Sequence, residues 1–225
     1  SGKGISMHKF IASLSGQQES GCLISDRTYR ERVVLTLDVS GSMGQKDFRP
    51  TRIQAMKNSV IQYLQHKREI DCYDEVAIVT FSGFTTIVSP LLLLKCCFEQ
   101  LITKVHLLKP ESSTNIVSGL IHAGELLNIP ASELSTLNRI ILLSDGGHTE
   151  SGDPVKTAEY LKSQGMIIEC VGIGAKRSGD LHEAVLKRIA SFWDGKLLYR
   201  WIGDSQDLEK HFIELSNKLV ILKER

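Results

Sequence analysis

Short β-rich apolar runs alternate along this chain with stretches whose apolar residues recur at helical spacing, and that alternation leaves few folds open. Val33-Val34-Leu35-Thr36-Leu37 is apolar on both faces, the pattern of a strand covered on both sides. A helix is predicted from Thr51 to Lys67, with Ile53, Met56, Val60 and Leu64 on one face. Strands follow at Val76 to Phe81 and at Thr85 to Val88, joined through Gly83 as an antiparallel hairpin. Helices are predicted at Phe98 to Val105, around Ile116, Leu120, Ala123 and Leu127, and from Pro154 to Gln164. Ile140 to Leu143, Ile167 to Val171 and Lys196 to Trp201 read as strands. Leu181, Val185 and Ile189 mark a further helix, and Asp204 caps a last one carrying Leu208, Phe212, Leu215 and Leu219. The predicted fold is α/β and doubly wound: a mostly parallel central sheet with one antiparallel edge strand and helices on both faces. Ligands of such sheets bind at the carboxyl ends of the strands, where strand order switches. Function is therefore sought just after Leu37 and Leu143.

With 225 residues the chain is long enough for one domain of this kind. Residues 1–28 lack sustained periodicity and are expected to be a flanking segment or linker, with the domain spanning 29–225 and forming part of a larger protein or complex. A net charge of +1 argues against nucleic acid as a partner. No window reaches the roughly 18 apolar residues of a membrane span, so direct membrane insertion is not expected. The cysteines are Cys22, Cys72, Cys96, Cys97 and Cys170. Their odd number and the lack of a C-x-x-C pair predict five free thiols. With no Asn-x-Ser/Thr sequon, this favours a reducing, intracellular (cytoplasmic) setting.

The first strand runs into Asp38-Val39-Ser40-Gly41-Ser42-Met43-Gly44. Later, Thr114 stands before a predicted helix in Glu111-Ser112-Ser113-Thr114-Asn115, and Asp145 follows a strand in Ser144-Asp145-Gly146-Gly147. The D-x-S-x-S pattern alone is unspecific, since Ser and Asp are ordinary turn residues. With the Thr and the second Asp in this order, each at an element boundary, the chain resembles von Willebrand factor type A domains carrying a metal-ion-dependent adhesion site. The resemblance runs from about Arg32 to Leu219. It departs from many relatives at Ser112-Ser113, where they have a glycine before the threonine.

The resemblance implies a fold like the nucleotide-binding α/β sheets and a site for Mg²⁺, or Mn²⁺ or Ca²⁺. Its ligands would be Asp38, Ser40, Ser42, Thr114 and Asp145, the hydroxyls binding directly and the aspartates directly or through water. It further implies a protein partner that presents an Asp or Glu carboxylate, and a binding module rather than an enzyme. The residues themselves agree with this chemistry. Mg²⁺ takes about six hard oxygen ligands, and a set made largely of neutral hydroxyls leaves an ion electrophilic. The alternative is a Mg²⁺-dependent hydrolase or phosphatase with Asp38 as nucleophile. That chemistry needs an acid two residues on, where Ser40 stands. Among the remaining polar residues, Lys46 and Asp47 read as solvated charges, His122 as structural or surface, His148 as a loop residue beside Asp145, and Trp193 and Trp201 as packing residues.

Overall fold

The computed structural model describes residues 29–111, 113–129, 135–145, 147, 150–174 and 181–221. The expectations for residues 1–28, Ser112, Gly146 and His148 lie outside the described residues, as do those for the Leu181 and Leu219 side chains. Strand β1 (Tyr29–Asp38) is followed by a short 3₁₀ turn (Gly41–Gly44) and helix α1 (Arg52–Ile70). The hairpin β2 (Glu75–Phe81) and β3 (Thr85–Leu93) leads into α2 (Leu94–Leu107) and α3 (Ile116–Leu127). Then come β4 (Ser135–Ser144), α4 (Pro154–Ser163), β5 (Ile167–Ile173) and α5 (Leu181–Ile189). The chain ends with β6 (Phe192–Trp193), β7 (Lys196–Leu197), β8 (Tyr199–Ile202) and α6 (Ser205–Ile221).

Six strands form one sheet in the order β3-β2-β1-β4-β5-β8. All neighbours are parallel except β2 and β3. Strand order therefore turns at β1, with β2 on one side and β4 on the other. The predicted last strand is in fact two: Lys196–Leu197 pairs with β6 in a small hairpin, and Tyr199–Ile202 joins the main sheet. Positive-φ Gly195 (φ 75°) turns that hairpin, a conformation that favours glycine.

The period of two along β1 distributes its side chains to two cores. Val33, Leu35 and Leu37 pack with α1, α2 and α6, whereas Val34 packs with α3, α4 and α5. The helix faces read from the sequence are buried: Met56, Val60 and Leu64 on α1, Leu120 and Ala123 on α3, Leu208, Phe212 and Leu215 on α6. Phe212 meets Tyr63 edge to face, ring centroids 6.3 Å apart. Helices α1, α3 and α4 start on side-chain caps: Thr51 accepts from the Gln54 amide, Asn115 from Ser118 and Asp153 from Val155. None of the described helices is long and apolar enough to cross a membrane.

The cysteine expectation is corrected. Cys72 is disulfide-bonded, while Cys96, Cys97 and Cys170 are free, so the partner of Cys72 lies outside the described residues. Spacing rules could not reveal this bridge, because such a pair is made by the fold. Cys170 is buried as expected, and burial pushes its thiol well up from the ordinary range.

Candidate metal centre

Parallel pairing brings the carboxyl ends of β1, β2 and β4 side by side, and β1 ends at Asp38. Just past it, the Val39 amide donates to the Phe81 carbonyl at 2.9 Å, and the Val39 carbonyl accepts from the Glu111 amide at 2.5 Å. These two bonds hold the exit of β1 against β2 on one side and the segment leading to Thr114 on the other.

Asp38 is wholly buried. One carboxylate oxygen accepts from the Ser40 amide at 2.8 Å and the other from the Ser144 hydroxyl at 2.6 Å. Burial, the largest influence, pushes the carboxyl up to about 6; the Asp145 charge pushes the same way, while the Ser144 and Ser40 hydrogen bonds oppose it. Ser40 is extended (φ −61°, ψ 166°) and caps the 3₁₀ turn, whose Met43 plugs into the core. That anchor sets the turn so that the Ser40 and Ser42 hydroxyl oxygens lie 3.0 Å apart. Thr114 is buried at the head of α3, next to the Asn115 cap.

Asp145 follows β4 directly. Its Oδ1 accepts from the Gly147 amide at 3.3 Å and its Oδ2 from Arg52 Nη1 at 3.2 Å. Arg52 also donates from Nε and Nη2 to Asp47, at 2.8 and 2.6 Å. Asp47 and Lys46 are both exposed as expected, but Asp47 is also held by Arg52, which the sequence did not reveal. His122 is engaged structurally, its Nδ1 2.8 Å from the Ser118 carbonyl. Trp201 lies over Gly172, where a Cβ would collide with the indole, and donates to the Gly174 carbonyl at 2.9 Å.

The structure therefore joins Asp38, Ser40, Ser42 and Ser144 by direct hydrogen bonds and sets Asp145 close enough for its charge to bear on Asp38. Thr114 stands on a segment bonded to the same strand end. The donors at this edge are carboxylates and hydroxyls, a set suited to hard, oxygen-seeking cations. Among the described residues no group of three or more His, Cys, Asp and Glu could hold a metal ion, so a centre here depends on its hydroxyls. Sequence reasoning missed Ser144 as a partner of Asp38, and it missed Arg52. The signal for Arg52 was present: a basic residue in the first helical turn opposes the helix dipole and calls for an acidic partner.

The family model of the von Willebrand factor type A domain matches residues 33–200. The human protein calcium-activated chloride channel regulator 4 is 30% identical over 156 residues, covering 69% of this chain and 16% of its own length. This chain thus spans a small part of that relative. A structure of proximal thread matrix protein 1 from the mussel byssus with a zinc-occupied adhesion-site motif superposes with TM-score 0.68 at 20% identity, over 85% of this chain and 48% of that one. The pilus adhesin SpaC from Lactobacillus rhamnosus GG, in an open conformation, superposes with TM-score 0.70 at 16% identity, over 87% and 30%. At these identities the structural likeness speaks to the fold.

Proposed function

Because the chain belongs to the von Willebrand factor type A family, matched over residues 33–200, we propose that it is a divalent-cation-dependent protein-binding module. Asp38, Ser40, Ser42, Thr114 and Asp145 would hold Mg²⁺, or Mn²⁺ or Ca²⁺, at the carboxyl edge of the sheet. When bound, such an ion supplies a Lewis-acidic coordination position for a carboxylate oxygen of a partner's Asp or Glu. The chain's own residues do the orienting. The Ser40 amide and the Ser144 hydroxyl fix the Asp38 carboxylate, the buried Met43 fixes the turn that carries Ser42, and Gly147 and Arg52 fix Asp145. The observation that carries this reading is Asp38 itself: a carboxylate wholly buried at a strand end, whose hydrogen-bond donors are neutral.

The module would serve within a larger protein, as in the relatives it resembles, with a protein rather than nucleic acid or lipid as its partner. The hydrolase reading gains no support, because Ser40, where that chemistry needs an acid, is hydrogen-bonded to Ser42. The immobilised domain tests the proposal through capture of a partner in Mg²⁺ and in EDTA. We expect recovery in Mg²⁺, loss in EDTA and loss with Asp38→Ala. Equal recovery in all three would refute it.

A further inference from the structure

Arg52 belongs to none of the motif segments, yet it sits in the candidate centre. Its side chain is only 9% exposed. It divides its donors between two carboxylates: Nε and Nη2 face Asp47, and Nη1 faces Asp145. Gly174 at the end of β5 makes room for it. A Cβ there would stand 3.0 Å from Nη2, and the glycine's φ of +128° is one that L side chains rarely adopt. A guanidinium keeps its charge at any relevant pH. A permanent positive charge is thus built against one of the two carboxylates of the centre.

We infer that Arg52 sets the charge of the centre: it weakens the hold on a divalent ion alone and makes that hold depend on an added carboxylate. The inference rests on the proposed ion site. Asp38 and Asp145 bring the two negative charges that would face the ion, and Arg52 offsets part of them; Asp47, on the far edge of the guanidinium and with its side chain 27% exposed, returns only a screened share. An ion held by Asp38 and Asp145 is thus left short of full neutralisation, and a carboxylate from a partner supplies the difference. Ion and partner then bind with reciprocal coupling. If Arg52 served merely to hold Asp145 in place, its loss would loosen that aspartate and weaken ion binding. Charge setting predicts the opposite sign.

Mn²⁺ titration followed by electron paramagnetic resonance reads that sign, in chloride buffer and again with excess sodium acetate. Removing one positive charge near a divalent ion should tighten Mn²⁺ binding to Arg52→Gln about tenfold in chloride, and acetate should add less than it does for wild type. Arg52→Lys keeps the charge but loses the three-nitrogen fork, so it should not tighten Mn²⁺ binding as Arg52→Gln does. Asp47→Asn removes a negative charge from a partly exposed position and should weaken Mn²⁺ binding about threefold. A natively folded Arg52→Gln that binds Mn²⁺ no more tightly than wild type overturns the inference. If Arg52→Gln does not fold, Asp47→Asn binding as tightly as wild type overturns it. Wild-type protein that takes up no Mn²⁺ in either buffer overturns the ion site, and the inference with it. A wild-type response that the variants leave unmoved overturns the inference alone.

Discussion

The two ends of the same sheet treat buried charge in opposite ways. At the amino edge, Glu31, Lys67, Asp74, Arg139 and Glu169 are all nearly inaccessible to solvent. Lys67 pairs with Glu31 and with Asp74, the latter at 2.9 Å. Arg139 pairs with Glu169 and with Glu31, the latter at 3.3 Å, and donates to the Leu215 carbonyl at 3.1 Å. The surrounding carboxylates push both cations up from their ordinary range, against the effect of burial. Every cation there faces acids supplied by the chain itself. At the carboxyl edge Asp38 is just as buried, but its donors are an amide and a hydroxyl. One edge is compensated internally and so is structural. The other holds a carboxylate that, under the proposed function, a cation from outside would satisfy.

The largest effect belongs to the compensated edge. Arg139→Ala takes the guanidinium away from buried Glu169 and leaves Glu31 with Lys67, which should cost about 3–5 kcal/mol. Urea unfolding measures it, and a cost under about 1 kcal/mol would show that this network is not what secures the edge. Next is the staple beside that edge. Cys72 lies two residues before Asp74, and reducing its disulfide should lower stability by about 2–4 kcal/mol while leaving ion binding unchanged. Thiol counting on denatured, unreduced protein should find three free thiols, and five would contradict the bridge. The bridge also removes one of the two grounds for expecting an intracellular setting, since disulfides persist in oxidising compartments. The smallest effect is Thr114→Ala. It should weaken Mg²⁺-dependent binding about tenfold and leave the unfolding midpoint unmoved. A drop in stability with unchanged binding would make Thr114 a packing residue.

The carboxyl edge was largely legible in the sequence and the amino edge was not. Asp38, Ser40 and Ser42 are local, so a motif shows them, and Thr114 and Asp145 stand at element boundaries that periodicity marks. The partners at the amino edge are far apart in sequence: Glu31 and Arg139 are separated by 108 positions. Nothing near either residue distinguishes it from a solvated charge. Arg32 escaped for the same reason, although its guanidinium donates to the Leu127 and Ile129 carbonyls at the end of α3, a favourable place for a cation. The split of the last strand depends on which neighbour each half finds, and local propensity does not encode that.

Asp38→Asn separates the two edges most cleanly. The amide keeps the shape, accepts from the Ser40 amide as the carboxylate does, and donates to a turned Ser144 hydroxyl. No internal cation is stranded by the change. Calorimetric titration of Mg²⁺ into wild type and this variant, with urea unfolding of the same samples, measures both consequences. Wild type should bind the ion, and the variant should bind it at least about a hundredfold more weakly while being as stable as wild type or more so. A variant that binds Mg²⁺ as well as wild type, or a wild type that binds none even with acetate present, would overturn Asp38 as an ion ligand.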